Sequence, residues 1–262
     1  MECKSCGFWF TNPRPIGKEL DHYYQTDDYI SHTDQRKSLF DRAYHLVRSI
    51  AIRQKAKLVE NINGRKGDLL DFGAGTGAFV LHMKEAGWSA SGVEPDVKAR
   101  EIGAKKGLRL YSNVDFDQDS QLYDIITLWH VLEHLPDLNE KIRQFFEKLK
   151  PGGALVIALP NHNSFDAKVY KDYWAALDIP LHLSHFRKED IRNLTLKHNF
   201  RYQATYNMPF DAFYVSLLSE KNRPAKTNHL RALGVAALSN LKGARNANMS
   251  SLIHVLKKGE EG

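Results

Sequence analysis

The stretch Asp68-Leu69-Leu70-Asp71-Phe72-Gly73-Ala74-Gly75-Thr76-Gly77-Ala78 determines the fold that we predict for this chain. Its apolar beginning, Asp68–Phe72, predicts a buried strand, and the amphipathic pattern of Ala78–Ala86 predicts a helix. Glycines between a strand and a helix permit positive φ angles and allow the backbone to approach a ligand closely. The free N–H groups at the start of the helix favour the same interpretation, a ligand site at the carboxyl end of a strand.

Short apolar runs alternate with amphipathic stretches from this loop as far as residue 160. Further strands are predicted at Trp88–Val93, Leu108–Tyr111, Tyr123–Leu128 and Ala154–Leu159, and helices at Val97–Lys106 and Leu138–Leu149, the latter ended by Pro151-Gly152-Gly153. Alternation of this kind is typical of an α/β protein whose mostly parallel sheet carries helices on both faces.

The flanking sequences lack this regular alternation. The first 20 residues look irregular, and an apolar stripe at Gln35–Asn61 predicts a helix. Beyond Asn161 we predict helices at Lys188–His198, Phe210–Leu218 and Leu230–Leu241, and strands at Phe200–Asn207 and Ser251–Leu256. We therefore divide the chain into an N-terminal helical and irregular extension (1–62), a ligand-binding core (63–160) and a C-terminal segment (161–262).

The composition is that of an ordinary globular protein. The 262 residues are 42% hydrophobic and 26% charged, which excludes a disordered chain. Every apolar run is shorter than the roughly 18 residues that indicate a membrane-spanning helix. The two cysteines exclude a disulfide framework, and Met1–Lys4 does not begin a signal-peptide pattern, so we expect a cytoplasmic protein.

Two cofactors fit the glycine loop. The spacing Gly73-x-Gly75-x-x-Ala78 matches a dinucleotide-binding pattern, and Glu94, at the end of the next predicted strand, is placed to accept hydrogen bonds from ribose hydroxyls. Asp71, however, would repel a pyrophosphate, whereas it suits a ligand with an ammonium and a sulfonium group. Together with the additional glycine at Gly77, this favours S-adenosylmethionine.

The chain resembles class I S-adenosylmethionine-dependent methyltransferases over about residues 65–160. The matching stretches are Leu70–Gly77, Gly92–Pro95, Tyr123–Ile126, His130–Leu135 and Pro151–Gly153. The resemblance implies a Rossmann-like, seven-stranded sheet. Its last two strands would form an antiparallel hairpin from Phe200–Asn207 and Ser251–Leu256, with the residues between them as an insertion.

The resemblance also implies which residues hold the cofactor. The loop and Asp71 would line its methionine end, Glu94 would hold the ribose, and residues 113–115 would contact the adenine. The full set of expected cofactor-binding residues is Asp71, Gly73, Ala74, Gly75, Gly77, Glu94, Pro95, Asn113, Val114, Asp115, Trp129 and His130. The product of the reaction would be S-adenosylhomocysteine.

The stretch His130-Val-Leu-Glu133-His134 spells H-x-x-E-H, the inverted zinc-protease pattern. That interpretation needs a long helix, and Pro136 would stop one within about a turn. We therefore predict no metal here, with His130 beside the transferred methyl group and His134 in a structural role. The Asn/Asp-Pro-Pro-Tyr motif of enzymes that methylate adenine or glutamine amides is absent at this position.

Two further histidines, His182 and His185, lie in the stretch Asp178–Phe186. This stretch resembles the Asp-x-Pro-x-His-Leu-x-His-Phe segment of bacterial methyltransferases that act on small molecules. Because a neutral imidazole accepts a proton near neutral pH, we hypothesise that His182 or His185 is the general base, with His130 as a third candidate. A role in capping the next helix or in binding loop backbone fits the same residues.

The N-terminal residues resemble the second half of a zinc ribbon. The pattern runs Cys3-x-x-Cys6-Gly7, then Thr11–Pro15 and Tyr23-Tyr24. Structural zinc takes four ligands, so two cysteines with His22 nearby predict no stably bound zinc. Tyr23, Tyr24 and Tyr29 either pack against the chain or form a lid over the cofactor.

These observations predict a methyltransferase that acts on an oxygen or carbon atom of a small molecule, such as a sugar nucleotide or a biosynthetic intermediate. Residues 161–262 would supply the acceptor pocket. Residues 221–258 contain eight lysines and arginines, while the net charge of the chain is +6. Their lack of aromatic residues argues against nucleic acid as a partner.

The alternatives are an RNA or protein methyltransferase that uses this basic region, a cofactor-binding protein without catalysis, and an NAD-dependent oxidoreductase. The oligomeric state stays open.

Overall fold

The computed structural model describes residues 1–15 and 39–259, and for residues 39–46 it describes the backbone only. The predicted helix start at Gln35, the tyrosines Tyr23, Tyr24 and Tyr29, and His22 are therefore outside the described residues. In chain order the main elements are β1 (Trp9–Phe10), α1 (Leu39–Asn63), β2 (Asp68–Phe72), α2 (Ala78–Glu85), β3 (Ser89–Val93), α3 (Val97–Lys105), β4 (Leu110–Tyr111), α4 (Asn113–Gln118), β5 (Tyr123–Trp129), α5 (Leu138–Lys148), β6 (Leu149–Pro160), α6 (Phe165–Tyr170), β7 (Ser184–His185), α7 (Lys188–Lys197), β8 (Phe200–Asn207), α8 (Asp211–Asn222), α9 (His229–Gly243) and β9 (Ser251–Lys258).

Seven strands form one sheet in the order β4-β3-β2-β5-β6-β9-β8. Strands β2, β3, β4 and β5 run parallel, and β8 and β9 form the antiparallel hairpin. The predicted α/β class, the Rossmann-like seven-stranded sheet and its C-terminal hairpin are confirmed.

The chain divides into two compact units. The first, here called the loop unit, comprises the described part of Pro15–Leu128 together with Gln144–Val156 and residues 258–259. The second, here called the histidine unit, comprises Met1–Arg14, Trp129–Arg143 and Ile157–Lys257. The three segments predicted from the sequence, 1–62, 63–160 and 161–262, were defined by their expected roles and not by compactness. That division stays a prediction.

The core of the loop unit is built from strands that are buried on both faces. Leu69 and Leu70 of β2 pair with Ile125 and Ile126 of β5, and all four are almost completely buried. In the same register Asp71 lies opposite Thr127, which brings the loop to the carboxyl ends of the parallel strands. A near-continuous apolar run on each strand is what a doubly covered parallel sheet requires.

Two strands of the loop unit begin more than one residue away from their predicted starts. Strand β6 begins at Leu149, well before the predicted Ala154, so Pro151-Gly152-Gly153 lies within the strand. Lys150 Nζ binds Asp68 Oδ2 at 2.6 Å and Asp124 Oδ2 at 2.8 Å, and this anchors the early start. The third predicted strand, Leu108–Tyr111, shortens to Leu110–Tyr111.

Helix α4 was also missed, because the sequence after Tyr111 shows no apolar periodicity. Its first turn is fixed by a reciprocal capping box, in which Ser112 and Asp115 each accept a hydrogen bond from the other's backbone N–H. A local polar motif therefore sets the helix where hydrophobic patterning gives no signal.

In the histidine unit, β1 pairs with β7 in a two-stranded antiparallel sheet that the sequence did not predict. Buried Asp166 accepts hydrogen bonds from Trp174 Nε1 at 2.8 Å, Ser239 Oγ at 2.6 Å and Ser250 Oγ at 2.7 Å. These bonds join the segment after β6 to α9 and to the start of β9. Among the described helices of the chain, none combines the length and apolar character needed to cross a membrane.

Candidate functional site

The glycine loop follows β2 in a backbone conformation that side chains disfavour. The φ angles of Gly73, Gly75 and Gly77 are +78°, +54° and +76°. A Cβ added to Gly77 would lie 2.5 Å from Leu108 Cδ1, whereas one added to Gly75 would meet nothing within 4 Å. Gly77 is therefore required by packing, and Gly75 faces open space at the helix start, where a ligand could approach the backbone.

Asp71 is a buried acid next to this loop, with only 2% of the residue exposed. Its Oδ1 accepts a hydrogen bond from Thr127 Oγ1 at 2.7 Å, a partner that the sequence did not indicate. Burial raises the pKa of Asp71 to about 7. Because a nearby positive charge would favour the carboxylate, the site is suited to a cationic ligand group.

Glu94 follows β3 and is also buried. Its Oε2 accepts the Gly75 N–H at 2.7 Å and its Oε1 accepts the Asp96 N–H at 3.0 Å, so the carboxylate is fixed against the loop. Burial raises its pKa. A carboxylate has about four acceptor sites, which leaves acceptors for a ribose diol. Pro95, the next residue, provides a backbone carbonyl that Arg100 binds.

The predicted adenine contacts occupy the start of α4 and differ from one another. Asn113 Oδ1 is buried and accepts no hydrogen bond from the described residues. Val114 is exposed, and the Asp115 carboxylate is already bound by the N–H and the hydroxyl of Ser112, both at 2.7 Å. Asn113 Oδ1 is therefore left with unused acceptor capacity, while Asp115 serves the end of the helix.

These groups fit S-adenosylmethionine. Asp71 matches its ammonium group, Glu94 its ribose hydroxyls and Asn113 its adenine, and the glycine loop leaves room for the backbone to approach it. A pyrophosphate would meet the Asp71 carboxylate.

His130 comes directly after Trp129, the last residue of β5. Its φ of +59° is a left-handed conformation that costs a non-glycine residue about 1–2 kcal/mol. Its Nε2 lies 3.0 Å from Asp211 Oδ2 and its Nδ1 lies 3.4 Å from Glu133 Oε1, and a third of the side chain is exposed. Burial alone would lower the pKa of His130, but the two acids raise it to about 9.

His182 and His185 are buried and bound by their own unit. His182 Nδ1 lies 2.9 Å from Ala176 O, and His185 Nε2 lies 3.1 Å from Thr11 Oγ1. The Thr11 hydroxyl donates to His182 O at 2.6 Å, so the His185 ring must donate to Thr11. Burial lowers the pKa of His182, and it lowers that of His185 to about 4. These contacts match the loop-backbone alternative more directly than they match the hypothesis of a general base.

The H-x-x-E-H stretch forms a short 3₁₀ turn at Leu132–His134 rather than the long helix of a metalloprotease. The His134 and His182 rings meet edge-on with centroids 4.6 Å apart. Ligand-type atoms of Glu133, His134 and His182 all lie within 4.8 Å of one another. The sequence motif included Glu133, but nothing in the sequence predicted that Glu133 lies near His182.

At the N-terminus, Cys3 and Cys6 flank a tight turn in which the Gly7 N–H donates to Cys3 O at 2.8 Å. Hydrogen bonds from the backbone of Cys6 and Ser5 lower the pKa of Cys3. The zinc-ribbon remnant stays a prediction.

Comparison with known proteins decides the family. Residues 44–205 match the family of methyltransferase domains. The chain belongs to this family. Its membership confirms the resemblance found in the sequence and, with it, S-adenosylmethionine as the cofactor.

Individual relatives agree with this assignment. A ubiquinone biosynthesis O-methyltransferase of Bordetella avium (strain 197N) is 27% identical over 128 residues, which are 45% of this chain and 52% of that protein. The chain spans about half the length of the curated relatives it matches.

Solved structures show the same fold. Magnesium protoporphyrin IX methyltransferase from Synechocystis PCC 6803 is 12% identical, with a TM-score of 0.61 over 93% of this chain and 100% of that chain. The [4+2]-cyclase SpnF is 17% identical, with a TM-score of 0.60 over 95% of this chain and 98% of that chain. Since one of these neighbours is a cyclase, the fold alone does not determine the reaction.

Proposed function

We propose that this protein transfers a methyl group from S-adenosylmethionine to an oxygen or carbon atom of a small molecule. The observation that carries the proposal is the set of three groups in the loop unit, Asp71, Glu94 and Asn113, which match the three polar parts of this cofactor. Membership of the methyltransferase-domain family supports it.

Within this proposal each residue has a role in binding. S-adenosylmethionine supplies an electrophilic methyl group on a sulfonium. Asp71 pairs with the ammonium group, Glu94 accepts hydrogen bonds from the ribose, and Asn113 accepts one from the adenine. Methyl transfer is an in-line displacement, so the contribution of the chain is mainly to align the nucleophile with the cofactor.

Oxygen is the favoured acceptor atom, because several of the curated relatives are named ubiquinone biosynthesis O-methyltransferases. His130 is the partly exposed histidine among the three catalytic candidates, and Asp211 fixes its ring. We propose that His130 orients the acceptor. The roles of His182 and His185 as general base stay predictions. They are tested by comparing the turnover of alanine variants of each residue with that of His130→Ala.

The proposal includes a cytoplasmic setting and no nucleic-acid partner. Binding of RNA that weakens steeply with added salt would instead support the alternative that uses the basic residues 221–258.

The direct test incubates the protein and labelled S-adenosylmethionine with a metabolite extract and identifies the labelled product. We expect one low-molecular-mass product, its loss in Glu94→Ala, and a reduced turnover number with retained cofactor affinity in His130→Ala. Label in RNA or protein would overturn the small-molecule acceptor. Tight cofactor binding with no labelled product from any extract would support the non-catalytic alternative.

A further inference from the structure

The geometry points to a divalent-metal site formed by Glu133, His134 and His182, within the histidine unit. This inference goes beyond methyl transfer, and it departs from the sequence prediction of no metal.

The first observation is the state of the Glu133 carboxylate. Glu133 is 1% exposed, and neither of its side-chain oxygens accepts a hydrogen bond from the described residues. Its close charged neighbour is His130 Nδ1, at 3.4 Å and without hydrogen-bond geometry. Burial of a carboxylate is costly unless it is paired and hydrogen-bonded or bound to a metal. Beside its ion-pair contact with His130, the Glu133 carboxylate therefore has oxygens available to bind a metal ion.

The second observation is the orientation of the two histidines. His134 Nδ1 lies 3.2 Å from Leu181 O, and His182 Nδ1 lies 2.9 Å from Ala176 O. A carbonyl oxygen is an acceptor, so each Nδ1 carries the proton and donates it. The lone pair then resides on Nε2 of both rings. Histidines that bind metals are fixed in this way, with the second ring nitrogen donating to a backbone carbonyl or a carboxylate.

The third observation is proximity. One ligand-type atom from each of the three residues lies within 4.8 Å of the others. Bonds of about 2.0–2.2 Å to a tetrahedral zinc ion place ligand atoms roughly 3.4 Å apart, so a modest contraction closes the site. Asp178 Oδ2 lies 3.8 Å from His182 Nε2 and its side chain is half-exposed, so it places a fourth donor atom, an oxygen, on the solvent side.

The donor set identifies the class of ion. Two imidazoles and a carboxylate suit zinc and other first-row divalent ions, whereas calcium and magnesium prefer oxygen ligands alone. The ion would tie the turn at Leu132–His134, which follows His130, to the segment that contains Ala176–His182. Its role is to fix the backbone around His130.

The test measures zinc bound to the full-length chain by equilibrium dialysis, after metal removal with a chelator. Because the thiols of Cys3 and Cys6 are of a type that can take up zinc in a titration, the measurement uses a Cys3→Ser, Cys6→Ser background. Cobalt(II) replaces zinc in a parallel titration, where its visible absorption reports the ligand set. The variants are Glu133→Gln, His134→Ala and His182→Ala, with His198→Ala as a matched histidine control in the same unit.

We expect one zinc ion per chain in the cysteine-free background and in the His198→Ala control. Glu133→Gln, which keeps the shape of the side chain, should weaken zinc binding by about 100-fold or more and remove the cobalt spectrum, with unchanged circular dichroism. The proposal is overturned if the cysteine-free protein binds no zinc, or if Glu133→Gln binds zinc as tightly as its parent.

Discussion

The buried acids of the loop unit and of the histidine unit are held in opposite ways. Asp71 and Glu94 accept hydrogen bonds from residues that the strand register and the loop place beside them. Glu133 accepts no hydrogen bond from the described residues, although it is just as buried. The comparison teaches that the loop unit satisfies its buried acids with its own hydrogen bonds, whereas Glu133 of the histidine unit has an ion-pair contact with His130 and no hydrogen bond from the described residues.

Replacement of Asp71 by Asn tests the first half of this comparison, with the largest expected effect. The folded pKa of Asp71 is about 7 against 3.8 for the free acid, so the stabilising contribution of the protonated form is lost as pH rises towards 7. At pH 8 the charged Asp71 then lowers the free energy of unfolding of the cofactor-free protein by on the order of 4 kcal/mol. Asp71→Asn should therefore be more stable than the parent at pH 8, by a few kcal/mol, and show little difference at pH 4.

The same variant should lose the pH dependence of cofactor binding. In the parent, affinity for S-adenosylmethionine should fall as pH drops below about 7, because Asp71 becomes neutral. Denaturant unfolding at the two pH values and calorimetric titration check these expectations. Equal stability of variant and parent at pH 8 would show that the buried, charged carboxylate of Asp71 does not destabilise the fold.

Glu94→Ala should have the next largest effect. It removes the acceptor of the Gly75 and Asp96 N–H groups as well as the proposed ribose contact. Hydrogen bonds to charged groups contribute about 1.5–3 kcal/mol each, so binding of S-adenosylhomocysteine should weaken by about 100-fold or more. Glu101→Ala, an exposed acid on α3, is the matched control and should bind as the parent does.

Two glycine variants separate packing from ligand access. Gly77→Ala should destabilise the fold by about 2–3 kcal/mol, because it combines backbone strain with a contact 2.5 Å from Leu108 Cδ1. Gly75→Ala meets no neighbour and should cost about 1 kcal/mol of stability while weakening cofactor binding. If Gly75→Ala binds the cofactor with unchanged affinity, the open space beside Gly75 is not part of the site.

Much of the loop unit could be predicted because its geometry is local. The stretch Asp68–Ala78 contains its own strand, turn and helix start, and Glu94 directly follows the next strand. The early start of β6 escaped prediction, because its anchor is an ion pair from Lys150 to Asp68 and Asp124. No periodic pattern records a partner so far away along the chain.

The histidine unit was predicted as separate motifs and not as a cluster. The H-x-x-E-H stretch and the segment with His182 are each visible, but their contact depends on the path of the chain after β6. The same holds for Asp211, which binds His130, and for Thr11, which joins β1 to His182 and His185. Tertiary packing created these neighbours, and the sequence pattern could not.

Thr11→Val should have the smallest effect on cofactor binding and tests whether the two units differ in function. The variant keeps the shape of the side chain but removes the hydroxyl that binds His182 O and His185 Nε2. We expect a loss of about 1–2 kcal/mol of stability with unchanged affinity for S-adenosylhomocysteine. Weaker cofactor binding in thermal and calorimetric measurements would show that this contact also supports the loop.

Isothermal titration of the folded chain with S-adenosylhomocysteine, at pH 8, tests the central assignment most directly. The account predicts one molecule bound per chain, with the affinity lost in Glu94→Ala and no heat from NADH. Absence of heat from both S-adenosylhomocysteine and S-adenosylmethionine, in a sample whose circular dichroism shows the α/β fold, would contradict it.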